Sequence, residues 1–573
     1  MRLLERVGPC EFRLTRDLIN NNHPYAILSH TWGEDDAEVT LEDLLQGTGK
    51  DKKGYEKIQL CGEQAARDGL RHFWVDTCCI DKTSSAELAE AINSMYRWYQ
   101  RSTVCYVFLS DLPASASLPA ALPRCRWFTR GWTLQELIAP KEVIFFDQEW
   151  KPRGSKRDLV ELLSNTTGIG PGILRCEQEL ASIAVAQKMS WAAHRETTRI
   201  EDIAYCLLGI FDVNMPLLYG EEEKAFRRLQ EEIIKSTADL SLFAWTIPSR
   251  LRSSEAHETR HYCGVLAEKP LYFAECGSLM RAPYVIGREF SVSNTGVRTR
   301  VQILIERISG TRGFRYVLPL DCFRNQQQSL GVRLRKCAPD TFIRDDPWTL
   351  VELIEGLFAN ALKDRYLLTR LPGSNFKRDL QLETDLLIAQ LRSHAFQIKL
   401  PPEMYMYDAW PWSRFDDEDQ LFFVSRENLG WDWVAFRLNV RLPLRDGKTQ
   451  REVEFDCMFF ATGWSSQQAE QLQCTLVDYQ AFMNALNETT SQISAWNPDS
   501  FGVRKQLIHN NIPRVSTVLH KFPGNRRGVL VTFKLTLITN PSICHNPFWG
   551  VEFNFHVCNA VDFPIVHSED WVM

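Results

Sequence analysis

Four short apolar runs mark out the first quarter of the chain, and each is followed by polar or helix-patterned sequence. Tyr25-Ala26-Ile27-Leu28-Ser29 ends in the polar cluster His30-Thr31-Trp32-Gly33-Glu34-Asp35-Asp36, the pattern of a strand feeding a loop. Ile58, Cys61 and Ala65 keep helical spacing, and Gly69 stands where a left-handed cap would end that helix. Phe73-Trp74-Val75-Asp76 is the next strand and runs into Thr77-Cys78-Cys79-Ile80-Asp81-Lys82. Ser84 and Glu87 make a capping-box pattern ahead of the stripe Leu88, Ile92, Met95 and Tyr99. Val104-Cys105-Tyr106-Val107-Phe108-Leu109 is apolar throughout, as expected of a strand covered on both faces. Residues 130–140 read as a short helix stopped by Pro140, before the strand Val143-Ile144-Phe145-Phe146. On that helix Trp132 and Glu136 stand four apart and share a face, while Leu134, Leu137 and Ile138 fall on the opposite side.

This alternation predicts an α/β fold, a parallel sheet flanked by helices, over residues 1–150. In such sheets functional groups gather at the carboxyl ends of the strands. Ser29 to Trp32 and Asp76 to Asp81 both lie just past strand ends, and Glu136 comes in the helix after the third strand. A shared cleft is the expectation. Residues 151–248 turn helical. Ser155 with Asp158 marks one helix start, Thr198 with Glu201 a second capping box, and Phe226, Leu229 and Ile233 the inward stripe of a charged helix. From 249 to 573 strand-like runs dominate, at 290–293, 297–305, 421–424, 434–442, 455–461, 529–538 and 551–557. Helical interruptions are expected near 350–362 and 479–486. The segment reads as one or two β-rich domains of unknown role, and no fixed repeat period is present.

Composition narrows the class of protein. A chain of 573 residues with 44% hydrophobic and 24% charged positions is ordinary globular material of more than one domain. A net charge of -6 gives no support to a nucleic-acid partner. Sixteen scattered cysteines without a C-x-x-C pair argue for reduced thiols and a cytoplasmic location, with no metal site. The spacing of Cys61, His72, Cys78 and Cys79 is wrong for a metal. No signal-peptide run opens the chain and no apolar stretch is long enough for a membrane span, so the sequons at Asn165 and Asn487 are expected to stay unmodified. The tryptophans at 410, 412, 431 and 433 are read as sheet packing.

Three blocks now carry a resemblance: 25–33 (Tyr25 to Gly33), 73–81 (Phe73 to Asp81) and Arg130-Gly131-Trp132-Thr133-Leu134-Gln135-Glu136-Leu137. They are similar to the signature blocks of the heterokaryon-incompatibility (HET) domain of filamentous fungi, and 195–221 resembles the segment that follows them in that family. That segment often reads Tyr-Gly-Glu-Gly, whereas here Glu222 stands in place of the second glycine. The nucleotide-binding module carried by many family members is not expected, because Gly49-Lys50 is followed by Asp51 and no phosphate-loop pattern exists. The resemblance implies a protein of non-self recognition and programmed cell death, working with an incompatibility partner protein.

The HET domain has itself been likened to TIR domains, and the acidic loop after Trp32 and the block 132–137 resemble two TIR motifs. This likeness implies a TIR-like sheet, NAD as substrate with no bound cofactor, and Glu136 as the catalytic carboxylate of an NAD glycohydrolase. Self-association would be the natural switch. Ordinary glycosidases need two carboxylates because an alkoxide leaving group must be protonated. Nicotinamide leaves from a pyridinium as a neutral amine, so one glutamate that steadies a ribosyl oxocarbenium ion suffices. Trp32 or Trp132 could stack on a ring. Ser29, His30, Thr31, Asp76 and Arg130 could hold ribose or phosphate oxygens. Two alternatives stay open beside this one. Asp76 and Asp81 can cap loops, and the whole domain can serve as a non-catalytic death-signalling adaptor.

Overall fold

The computed structural model describes residues 1–251 apart from 9–10 and 16–22, and from 262 to 559 the strand-bearing segments with breaks between them. The amino-terminal sheet has seven strands. β1 (Leu4–Gly8) and β2 (Glu11–Leu14) make an antiparallel hairpin on one edge, which the apolar pattern did not announce. β3 (Tyr25–His30), β4 (His72–Trp74), β5 (Val104–Phe108) and β6 (Val143–Phe146) are mutually parallel, and β7 (Pro152–Ser155) closes the far edge antiparallel. The order across the sheet is β2-β1-β4-β3-β5-β6-β7. The fold is mixed α/β at this end, as the alternation predicts.

That order matters for function. Among the four parallel strands, the chain first steps from β3 outward to β4, then returns past β3 to place β5 and β6 on its other side. The direction of growth reverses between β3 and β5. In open α/β sheets such a reversal, outside the carboxyl ends of the two strands, is where ligands commonly bind. β3 delivers Ser29 and His30 to that rim.

Helices cover the sheet. α1 (Leu41–Gln46) and α2 (Lys53–Arg67) join β3 to β4; α3 (Asp76–Cys79) and α4 (Ser85–Arg101) join β4 to β5. α2 buries Ile58, Cys61 and Ala65, and ends as its spacing predicts: Gly69 sits at φ 72° while Leu70 N–H reaches back to the Ala65 carbonyl at 2.8 Å. α4 buries Ile92, Met95 and Tyr99. The Ser84 hydroxyl accepts from Glu87 N–H at 3.3 Å, but the Glu87 carboxylate does not complete a box; it accepts from Asp81 N–H at 2.8 Å and pairs with Arg2. α5 (Leu118–Ala121) and α6 (Thr133–Ile138) lie between β5 and β6.

A helical collar follows, with α7 (Val160–Thr167), α8 (Pro171–Leu174), α9 (Val185–Ser190), α10 (Asp202–Tyr205), α11 (Leu208–Phe211) and α12 (Lys224–Ser236). Ser155 and Asp158 bond each other reciprocally before α7. The second capping box is a correction. The Glu201 carboxylate accepts from Gly220 N–H at 2.6 Å and Glu222 N–H at 3.2 Å, because α10 starts only at Asp202 and the preceding residues form a bend closed by Thr197 hydroxyl to the Arg199 carbonyl. α12 buries Phe226, Leu229 and Ile233.

Beyond the collar the described residues form three further sheets, of eleven, six and four strands. Long hairpins such as Trp433–Asp446 with Thr449–Thr462, and Arg527–Ile538 with Phe548–Asn559, coincide with the alternating runs. Of the span 350–362, where a helix is expected, the described residues include two short strands instead, Val351–Glu352 and Phe358–Ala359, which pair with neighbours in the eleven-stranded sheet; 354–357 and 360–362 lie outside the described residues. The interruption at 479–486, and Trp412 and Trp431, lie outside the described residues. One connected set of buried side chains runs from Leu3 to Leu367. At the junction the fully buried Arg344 donates to the Phe243 and Trp245 carbonyls at 2.7 and 2.6 Å and lies over the Trp245 ring.

Candidate active site

The rim at the strand-order reversal is built around Glu136. Its carboxyl, on α6, accepts a hydrogen bond from the Ser29 hydroxyl at 2.5 Å, and that hydroxyl in turn accepts from the Trp127 indole N–H at 2.7 Å. Tyr99 closes the other side: its hydroxyl donates to the Leu28 carbonyl at 3.0 Å and also lies within bonding reach of Glu136. Glu136 is only 7% exposed. Burial pushes its carboxyl up to about 8; Ser29, Arg130 and Tyr99 pull it down, and Asp76 pushes it up. At neutral pH it is therefore the protonated acid.

Burial, with the Asp76 charge, outweighs the donors around the carboxyl. Trp127 donates to Ser29 and Ser29 donates to Glu136, so one carboxyl oxygen is satisfied as an acceptor. The Tyr99 hydroxyl has a single proton to share between the Leu28 carbonyl and the Glu136 carboxyl. Ionisation becomes favourable when a cation enters beside the carboxyl.

A second group of polar atoms lies at the ends of β3 and β4. The Trp32 indole donates to Asp76 Oδ2 at 2.8 Å, with the Lys82 ammonium 3.7 Å above the Trp32 ring. His30 Nε2 is 3.7 Å from Asp76 Oδ1, too far for a hydrogen bond. Both ring nitrogens of His30 and Asp76 Oδ1 are buried without a hydrogen-bond partner. Burial holds the His30 imidazole well below its ordinary range, and the Lys57, Arg130 and Lys82 cations add to this, so the ring is neutral. The loop bearing Trp32 is fastened from beneath, where Glu38 accepts from Gly33 N–H at 2.7 Å and from the buried Lys57 at 2.5 Å.

The start of α6 is clamped by the collar. Gly131 N–H donates to the Glu196 carbonyl at 2.8 Å, and Glu196 N–H to the Thr129 carbonyl at 2.7 Å. A Cβ on Gly131 would come within 2.6 Å of Thr197 Cγ2 and 3.1 Å of Cys206 Sγ, so glycine allows the close approach. The buried Arg195 donates to the Arg130 carbonyl at 2.8 Å and the Thr133 hydroxyl at 2.9 Å. At the other end the buried Lys156 donates to the Leu137 carbonyl at 3.2 Å and to that of Pro140. α6 is thus buried at every position, between sheet and collar, and lacks the polar face its sequence suggests.

The structure brings together Ser29, His30, Trp32, Asp76 and Glu136, with the half-buried Arg130 close enough to shift His30 and Glu136. Thr31, half-buried, follows at the end of β3. Trp132 is tied elsewhere: its indole donates to Asp202 at 3.4 Å, and the indole that reaches the Ser29–Glu136 pair is Trp127. Trp127, Tyr99 and Arg195 escaped the sequence reading as site residues. Tyr99 looks like the last member of a core stripe, and Trp127 carries no signal beyond its nearness to 130–137. Among the described residues no group of three His, Cys, Asp or Glu side chains is placed to hold a metal.

Comparison with known proteins adds a family. The family model described as heterokaryon incompatibility protein (HET) matches residues 25–124, which include the strand ends bearing Ser29, His30, Trp32 and Asp76. A domain of unknown function, DUF8212, matches residues 224–305. The vegetative incompatibility protein HET-E-1 of Podospora anserina is 47% identical over 281 residues, 47% of this chain and 21% of that protein. The chain therefore spans about a fifth of the length of this curated relative. No solved structure matches. Residues 25–124 thus match the heterokaryon incompatibility (HET) family model, and nearly half of the chain is similar to a vegetative incompatibility protein.

Proposed function

We propose that this chain acts in vegetative incompatibility and cell death, and that its amino-terminal domain executes that role by hydrolysing NAD at Glu136. The likeness to a vegetative incompatibility protein supports the biological role. The observation that carries the chemical reading is the Ser29–Glu136 contact at the strand-order reversal, where α/β sheets place ligands. In the reaction the bond between C1′ of ribose and the pyridinium nitrogen breaks and its electron pair goes to nitrogen, which leaves as neutral nicotinamide. Water forms the new bond to C1′ and releases one proton. Glu136, ionised by the incoming pyridinium charge, steadies the cationic sugar between these events. Since the carboxyl rests at about 8, kcat/KM is expected to rise with pH toward that value.

A second reading is favoured by one observation, the burial of Glu136 in a bonded chain from Trp127 to Leu28. On that reading the carboxyl is a structural tie and the domain is an adaptor that signals death through self-association with copies of itself or an incompatibility partner. The Glu136→Gln variant separates the two. Loss of nicotinamide release from purified protein, together with loss of toxicity on expression, supports hydrolysis. Toxicity that persists with cellular NAD intact supports the adaptor.

A further inference from the structure

We infer that His30 and Asp76 form a hydroxyl-binding subsite for the ribose whose anomeric carbon Glu136 would address. The inference deepens the hydrolytic reading and rests on it for the identity of the sugar. Three atoms carry it: His30 Nδ1, His30 Nε2 and Asp76 Oδ1, all buried and all without a hydrogen-bond partner. Leaving a buried polar atom unpaired is unfavourable, and three such atoms at one strand-end rim are a standing cost unless something fills the gap.

The geometry selects the occupant. Asp76 Oδ2 is committed to the Trp32 indole, so Oδ1 is fixed in place as an acceptor facing His30. The neutral imidazole brings one N–H donor and one acceptor. A gap of 3.7 Å between Nε2 and Oδ1 is too wide for direct bonding. An oxygen about 2.8 Å from each, the usual hydrogen-bond length, closes a triangle with an angle of about 80° at that oxygen. Such an oxygen would accept from the imidazole N–H and donate to the carboxylate. A sugar hydroxyl does both. A phosphate oxygen has no proton to give Asp76 at neutral pH and would meet a negative charge; an ammonium would serve only the tautomer with a bare Nε2, and would be repelled by the Lys57, Arg130 and Lys82 charges beside His30. The remaining His30 nitrogen offers a contact to the adjacent hydroxyl of a vicinal diol. The His30 side chain is 1% exposed and that of Asp76 20%, so entry lies on the Asp76 side, past Trp32.

Proximity to Glu136 ties the subsite to the chemistry. Asp76 and Glu136 lie close enough for the Asp76 charge to push the Glu136 carboxyl up. A ribose held by His30 and Asp76 is then within reach of Glu136, with the sugar ring spanning the carboxyl ends of β3 and β4. His30 and Asp76 act as positioning and specificity residues.

The test uses calorimetric titration of the full chain with ADP-ribose, the expected product, and with its analogues lacking the 2′- or 3′-hydroxyl of the terminal ribose. Wild-type protein should bind ADP-ribose and lose 10- to 100-fold in affinity, on the order expected for one buried hydrogen bond, when one of these hydroxyls is removed. Asp76→Asn, which keeps an oxygen for Trp32, and His30→Gln should weaken ADP-ribose by a similar factor, while the deoxy analogue should bind variant and wild type nearly alike. Near-ultraviolet circular dichroism of both variants checks that the fold is kept. Equal binding of ribose and deoxyribose forms, unchanged affinity in both folded variants, or no binding to wild type would each overturn the subsite and leave an ordinary buried water as the occupant. Hydroxyl-dependent binding without nicotinamide release from NAD would keep the subsite and defeat the hydrolytic reading.

Discussion

Replacing Glu136 with glutamine should make the folded protein more stable at neutral pH, and the size of the gain follows from the carboxyl's surroundings. Glu136 titrates at an ordinary 4.5 when exposed and at about 8 in the fold. The folded state therefore binds the proton more tightly, and the stability the neutral carboxyl contributes is fully present below pH 4.5. It drains away as pH rises from 4.5 to 8 and is constant above. At pH 7 the loss corresponds to a factor of roughly 300 in the folding equilibrium, about 3 kcal/mol at 1.36 kcal/mol per tenfold change. Glutamine reproduces the neutral acid: its carbonyl can accept from Ser29, without any ionisation to oppose. Thermal midpoints of wild type and variant, followed by near-ultraviolet circular dichroism between pH 5 and 8.5, give the comparison. The variant's advantage should be small at pH 5 and grow steadily to pH 8, while other titrating groups cancel in the difference. An advantage that does not change with pH, or a variant less stable at pH 7, would show that the carboxyl is ionised in the fold and that the bonded chain from Trp127 to Leu28 has been assigned the wrong protons.

Two further expectations concern the collar. Gly131→Ala drives a methyl to 2.6 Å from Thr197 Cγ2 and should cost about 1–3 kcal/mol, read as a fall in the denaturation midpoint, with α6 displaced from the 195–197 segment. Glu222 sits at φ 55°, a left-handed conformation that costs an ordinary residue about 1 kcal/mol or more, so Glu222→Gly should be neutral or stabilising by up to about that amount in the same melt. A clear loss of stability in Glu222→Gly would mean that the Glu222 side chain contributes more than its backbone strain removes.

That last position shows how a departure from a family pattern becomes legible. Glu222 in place of glycine raised a question about loop geometry, and the structure keeps the glycine-like backbone while Glu201 secures it through the N–H groups of 220 and 222. The strands β3, β5 and β6 were readable because each is an almost unbroken apolar run, the mark of a strand with helices on both faces. The hairpin β1–β2 was not, since seven of its nine positions are exposed or only partly buried and its run is interrupted by charge. Helix α6 was placed correctly but its environment was not: helical periodicity can sort residues onto faces, yet whether a second layer covers the polar face is decided by chain hundreds of atoms away. Trp127 and Ser29 are 98 residues apart, Ser29 and Glu136 107, and Arg195 and Thr133 62. No local window contains any of these pairs. The three motifs meet at one rim, but only the strand order makes them neighbours, and only the collar makes Glu136 a buried acid. On the hydrolytic reading proposed above, a carboxyl held protonated by its burial would be a site at rest. Activation would then require either a cation at the carboxyl or a displacement of the Arg195 clamp that admits water. The two routes differ in a measurable way, because a loosened clamp would lower the Glu136 titration point in the absence of any ligand.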